Sequence, residues 1–133
     1  MAVSNPYQAY QENSVLTASP GDLTLMLYNG CLKFLNLAKK AIGGNNITEK
    51  NTNLQKAQNI INELMVTLNM DIEISKQMMA LYDFVRIKLI EANVKNDLAA
   101  LEEAESIMIE FRDTWKEVIK LNRQQTYTKD GQV

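Results

Sequence analysis

The side chains that carry most enzymatic chemistry are scarce in this sequence. Its 133 residues include no histidine and a single cysteine, Cys31. Without histidine the chain has no Glu-x-x-His pair of a di-iron bundle, no imidazole haem ligand and no base for a Ser-His or Cys-His nucleophile. One cysteine builds neither a thiolate metal site nor an intramolecular disulfide. We therefore predict a protein that is not an enzyme and that binds no metal or cofactor.

The remaining candidates for chemistry have simpler explanations. Gly43 and Gly44 lack the flanking strand and the lysine of a phosphate-binding loop. The carboxylates of Glu102, Glu103 and Glu105 fit the first turn of a helix, where acidic groups complement the helix dipole. Nothing near Cys31 in the sequence would activate its thiol, so it is interpreted as a small packed residue.

Composition is that of a folded domain without a nucleic-acid partner. Hydrophobic residues make up 46% and charged residues 23%, and 14 basic residues face 16 acidic ones, for a net charge of −2. Nucleic-acid binders usually carry a basic stripe, which is absent here. The first basic residue is Lys33, so no charged region of a secretory signal precedes it, and the apolar runs are too short to span a bilayer. We expect one cytoplasmic domain.

Helix punctuation divides the chain into four long segments. The first helix is predicted to begin at Ser19 as N-cap with Pro20 at the first helical position, and to end at the glycine pair 43–44. The second is predicted from an N-cap at Thr48 to about Leu68.

The third helix is predicted to start with an N-cap at Asp71 and to end near Val94. The turn 95–97 separates it from the fourth, which should end near Asn122. Short loops make sequential helices antiparallel, so the sequence predicts an all-α, up-down-up-down four-helix bundle. We assign residues 1–18 to a segment packing on the bundle, 19–124 to the bundle and 125–133 to a flexible tail.

The first helix carries more apolar surface than one bundle should bury. At 100° per residue, one arc is a core stripe and a second arc points elsewhere. The core arc holds Leu23, Met26, Leu27, Gly30, Cys31, Phe34 and Ala38, and the second holds Leu25, Tyr28, Leu32 and Leu35. Either the N-terminal segment folds back over the second arc through Tyr7, Tyr10, Val15 and Leu16, or a partner binds there; a displaceable cover would satisfy both.

The third helix has a similar excess. Its main stripe is formed by Ile74, Met78, Leu81, Val85, Leu89 and Ala92. Met79, Ile87 and Ile90 lie away from that stripe, so a partner could dock on them. The chain has seven methionines, whose flexible side chains suit surfaces that accept varied helices. Those on the main stripes are more simply interpreted as core.

Several runs of residues resemble the FliS family of flagellar export chaperones. They are residues 5–10 (NPYQAY), 19–30 (SPGDLTLMLYNG), 57–61 (AQNII), 81–84 (LYDF), 91–97 (EANVKND) and 113–116 (DTWK). Their order and spacing are specific, and the resemblance extends over nearly the whole chain.

The resemblance implies a helical bundle that binds the C-terminal segment of flagellin and prevents its premature polymerisation in the cytoplasm. It also implies that the chaperone presents flagellin to the cytoplasmic domain of the export gate protein. Two apolar positions that serve the gate in the family align with Tyr7 and Tyr10, the first being aliphatic in some relatives. No nucleic acid and no direct membrane insertion are implied.

We thus predict that partners bind through Tyr7, Tyr10, Leu25, Tyr28, Leu32, Leu35, Met79, Ile87 and Ile90. The alternative is a structural bundle that uses its second apolar arc for homodimerisation. An unrecognised enzyme is a third hypothesis, and no titratable constellation supports it.

Overall fold

The fold is a bundle of four antiparallel α-helices. The computed structural model describes the backbone of residues 20–131 and the side chains of residues 21–123. Within that part the helices are α1 (Pro20–Gly43), α2 (Ile47–Val66), α3 (Glu73–Lys95) and α4 (Leu98–Gly131), and no strand occurs. Helices α1 and α3 each pack against both α2 and α4. The prediction of an all-α four-helix bundle is confirmed.

Two of the predicted N-caps are wrong, and in one case an asparagine side chain takes the cap position instead. Helix α2 is capped by Asn46, whose side chain accepts a hydrogen bond of 3.1 Å from the Glu49 amide, so the helix begins ahead of Thr48. At the start of α3 the cap position belongs to Ile72, which makes no side-chain cap. The backbone amide of Asp71 instead donates to the Asn69 side chain in the preceding turn.

The turn between α3 and α4 lies where the sequence predicts it. Asn96 ends α3 in the left-handed conformation, with φ 52°, and the side chain of Asp97 accepts a 3.1 Å hydrogen bond from the Ala100 amide. Helix α4 then continues to Gly131, so its predicted end near Asn122 is wrong. The other calls on the ends of the chain, a packed segment at 1–18 and a flexible tail at 125–133, stay predictions.

The core corrects the prediction of two separate arcs on α1. Tyr28 and Leu35 are fully buried beside Leu27, Cys31 and Ala38, so these two members of the second arc are core residues. The reason is that α1 lies between α2 and α4 and buries an arc of about 140°. Leu25 and Leu32 lie at the edge of that arc and are half-buried.

A buried lysine joins two helices at one end of the bundle. Lys50 on α2 is only 4% exposed. Its ammonium group donates to the backbone oxygen of Asn93, at 2.8 Å, and to the side-chain oxygen of Asn96. The Asn93 carbonyl is one of the last four of α3 and has no partner within its own helix. Lys50 therefore caps the C-terminus of α3 from a neighbouring helix.

We expect Lys50→Met to lower the free energy of unfolding by about 2 kcal/mol, because the part-buried carbonyl end of α3 loses a charged donor. Urea unfolding followed by circular dichroism measures this loss. Lys76→Met is the matched control, since the Lys76 side chain is 68% exposed on α3 and should change stability by less than about 0.5 kcal/mol. Equal effects of the two substitutions would contradict the capping role.

Candidate functional site

An apolar groove of about 420 Å³ lies along the seam between α3 and α4. We call it the α3–α4 groove. Its floor includes Tyr28 from α1. Its walls are Ile74, Gln77, Met78 and Leu81 on α3, with Ile107, Glu110, Phe111, Thr114, Trp115 and Val118 on α4.

The groove lies where the apolar stripe of α3 continues along the helix beyond the filled interior of the bundle. Val85, Leu89 and Ala92 fill the interior and are fully buried. Ile74 and Leu81, which the sequence places on the same stripe, are instead 53% and 44% exposed and line the groove. No described helix covers them. This end of α3 therefore offers large apolar side chains to a further chain segment.

Three aromatic rings from three helices form a cluster beneath the groove. Phe111 on α4 stacks against Tyr28 on α1, with ring centroids 5.7 Å apart, and against Tyr82 on α3, with centroids 4.9 Å apart. The hydroxyl groups of Tyr28 and Tyr82 are hydrogen-bonded at 2.7 Å. Burial raises the pKa of both tyrosines, most strongly that of Tyr82, so both hydroxyls stay protonated at neutral pH.

One end of the groove is fixed by contacts between α4 and the first turn of α1. The indole of Trp115, a wall residue, donates a 2.8 Å hydrogen bond to the backbone oxygen of Gly21. Further along α4, Arg123 donates to the carboxylate of Asp22, the residue after Gly21, at 2.9 Å. The start of α1, just after the N-terminal segment at 1–18, therefore lies beside the groove wall. Tyr7 and Tyr10 lie in that segment, outside the described residues.

The predicted partner residues of α3 form a second apolar surface, on the outer face of that helix. Ile87 and Ile90 are 42% and 39% exposed, and Met79 is half-buried. Phe84, which is not among the predicted partner residues, is equally exposed and lies between this face and Leu81 of the groove. Its spacing of three residues from both Leu81 and Ile87 is the signal that could have revealed it.

Two other depressions are more polar. One, of about 350 Å³ between α1 and α2, is bordered by Phe34 and Leu37 together with Lys33, Glu49 and Lys56. The other, of about 270 Å³, lies at the Lys50 end among asparagine side chains. The described residues hold no group of three or more acidic, cysteine or histidine side chains that could bind a metal. No helix among them is long and apolar enough to cross a membrane.

Comparison with known sequences identifies the family. Residues 3–122 match the profile of the family described as "Flagellar protein FliS". A relative from Bacillus subtilis (strain 168), named "Flagellar secretion chaperone FliS", is 53% identical over 131 residues, covering 98% of each chain. The chain belongs to the FliS family. A member of the same name from Escherichia coli (strain K12) is 38% identical over 80% of each chain.

A solved structure agrees with the bundle described above. A structure titled "Crystal structure of flagellar chaperone from bacteria" superposes with a TM-score of 0.71, covering 86% of this chain and 94% of that one. At 20% identity this likeness concerns the fold alone. The resemblance inferred from the short runs is thus confirmed, and the names of the relatives, which are chaperones, fit a protein without enzymatic activity.

The thiol of the lone cysteine in this FliS chain should be unreactive in the native state. Cys31 is fully buried, and burial raises the pKa of its thiol to about 12, above its ordinary value of 9.0. We expect an aromatic disulfide reagent to label native protein at neutral pH only as fast as the bundle unfolds, and urea-unfolded protein at once. Immediate labelling of the native protein would contradict this burial. The buried neutral thiol stabilises the fold up to about pH 9, and that contribution is lost as the pH rises towards 12.

Proposed function

We propose that this protein is an export chaperone that binds the C-terminal segment of newly made flagellin in the α3–α4 groove. Holding that segment keeps flagellin from polymerising in the cytoplasm, and the loaded chaperone then presents it to the cytoplasmic domain of the flagellar export gate protein. The observation that carries the proposal is an open, predominantly apolar groove in a chain of the FliS family. The protein acts by binding alone, without a catalytic residue or cofactor.

The groove has dimensions and chemistry that suit an amphipathic helix. Its α4 wall runs from Ile107 to Val118, about 16 Å at 1.5 Å per residue, which is three helical turns. Apolar side chains dominate both walls, and Gln77 and Glu110 supply polar groups. A client segment that is disordered when free must offset its ordering entropy with a large apolar contact. Helix-in-groove binding provides that contact.

The outer face of α3 extends the proposed client surface. Leu81 lines the groove, and Phe84, Ile87 and Ile90 continue from it along the exposed side of the helix. A client segment leaving the groove over Leu81 therefore meets further apolar side chains on the same helix. Met79 contributes at the margin of this face. The half-buried Leu25 and Leu32 of α1 are proposed as weaker contacts, because they lie outside the groove lining.

The N-terminal segment is proposed to deliver the client, and its point of attachment supports this role. It joins α1 where Gly21 accepts the hydrogen bond from Trp115 of the groove wall. Occupancy of the groove and the position of the segment can therefore influence each other through adjoining residues. Tyr7 and Tyr10 are the residues proposed for the gate contact, since large amphipathic side chains commonly anchor interfaces.

The first test places a charge in the groove. We expect Leu81→Asp to weaken binding of flagellin by at least about tenfold, because a carboxylate would be desolvated among apolar side chains when the client docks. The free protein should keep most of its stability, since Leu81 is 44% exposed. Calorimetric titration with flagellin, and with flagellin lacking its C-terminal segment, measures the effect.

Val66→Asp is the matched control. Val66 is 81% exposed at the end of α2, so the same charge there should leave flagellin affinity unchanged. Equal affinity of the wild-type protein for flagellin with and without its C-terminal segment would contradict the proposal. If the protein sediments as a stable homodimer and does not bind flagellin, the structural-bundle alternative is supported instead.

The second test separates holding from delivery. We expect Tyr10→Ala to weaken the contact with the cytoplasmic domain of the gate protein by about 1–3 kcal/mol while flagellin affinity stays nearly unchanged, because an interface anchor is truncated outside the groove. Titration with each partner separately checks this, and cells carrying the variant should make flagellin but secrete less. A variant that loses flagellin and keeps the gate would reverse the assignment.

A further inference from the structure

The two hydroxyl groups beneath the groove carry more hydrogen-bond donors than the described residues use. Tyr28 and Tyr82 each have one hydroxyl hydrogen, and a single hydrogen bond of 2.7 Å joins their oxygens. One hydrogen satisfies that bond. Among the described residues, neither hydroxyl makes a hydrogen bond other than the one between them. Because burial raises the pKa of both groups, neither hydrogen is lost at neutral pH.

The position of the two rings decides which hydrogen is left over. Both side chains are almost fully buried, but Tyr28 lines the α3–α4 groove and Tyr82 does not. A hydrogen left on Tyr82 would face the packed interior, where an unpaired donor is costly. The favoured arrangement therefore has Tyr82 donating to Tyr28, with the hydrogen of Tyr28 free towards the groove. A hydroxyl that accepts one hydrogen bond is also a stronger donor in the next.

We propose that the Tyr28 hydroxyl is a specificity-determining donor at the floor of the α3–α4 groove, which selects a client segment carrying a neutral oxygen acceptor on its buried face. This inference rests on the proposed function. In a helical client the backbone oxygens are engaged within the helix, so the acceptor is a side-chain oxygen of Ser, Thr, Asn or Gln. A carboxylate is disfavoured, because the groove is apolar and Glu110 already stands in its wall. A wholly apolar segment leaves the donor buried and unpaired.

Tyr28→Phe and Tyr82→Phe form a matched pair of variants. Each removes one oxygen and the same hydrogen bond between the rings, and each leaves one hydroxyl. Only Tyr28→Phe removes a hydroxyl from a residue that lines the groove. We expect it to weaken binding of the isolated flagellin C-terminal segment about tenfold, whereas Tyr82→Phe should change that affinity by less than about twofold.

The double variant separates this role from a purely structural one. Tyr28→Phe leaves the Tyr82 hydroxyl buried without its hydrogen-bond partner, so it should lower the urea midpoint of unfolding. The double variant leaves no such hydroxyl and should recover much of the stability. Its affinity should nevertheless stay as weak as that of Tyr28→Phe. If affinity instead follows the order of stability across the three variants, the donor role is refuted.

A scan of the client identifies the acceptor. Each Ser, Thr, Asn and Gln of the flagellin segment is replaced by alanine and titrated against wild-type protein and Tyr28→Phe. One replacement should weaken binding to the wild type about tenfold and leave binding to Tyr28→Phe nearly unchanged, which is the coupling expected of a direct contact. If no client residue couples to Tyr28, the inference is wrong. If wild-type protein does not bind the segment at all, it is the proposed function that fails.

Discussion

The end of the bundle that holds the α3–α4 groove depends on the stacked rings of Tyr28, Phe111 and Tyr82. They come from α1, α4 and α3, and the hydroxyl bond between the tyrosines crosses from α1 to α3, two helices that do not otherwise form a neighbouring pair. Large rings fill the interior where the aliphatic core ends. Tyr28 then contributes to the floor of the α3–α4 groove and Phe111 to its wall, so packing of the bundle and shape of the groove have the same origin.

The two ends of the bundle are held together in different ways. At one end Lys50 binds the C-terminus of α3, and the surrounding surface is rich in asparagine. At the other, the Trp115 hydrogen bond to Gly21 and the Arg123 pair with Asp22 tie α4 to the start of α1 around an apolar groove. At the polar end the Lys50 ammonium group has two acceptors, and the buried side-chain oxygen of Asn93 has no hydrogen-bond partner among the described residues. The apolar end retains exposed Ile74 and Leu81, which is why the proposed function is assigned there.

Some of the candidate site could be predicted from the sequence. Ile87 and Ile90 lie outside the helical stripe of α3 and are exposed, since one apolar arc was enough to fill the interior. Tyr28 and Leu35 were expected away from the core and are buried in it, because two neighbouring helices widened the buried arc of α1. Ile74 and Leu81 have the spacing of core residues and line the groove. Periodicity gives the angle of a residue around its own helix. It does not tell whether a neighbouring helix packs against that residue.

The sequence by itself determined the local and compositional features. Pro20, Asn96 and Asp97 set helix ends through backbone geometry and capping, which depend on neighbouring residues alone. The lack of histidine removed most catalytic chemistry, and short ordered runs indicated the family. The tertiary structure decided which apolar residues became core and which became groove, and it brought Tyr28, Tyr82 and Phe111 together from distant parts of the chain. Burial depends on the sum of contacts with other helices, and that sum is set only when the helices pack.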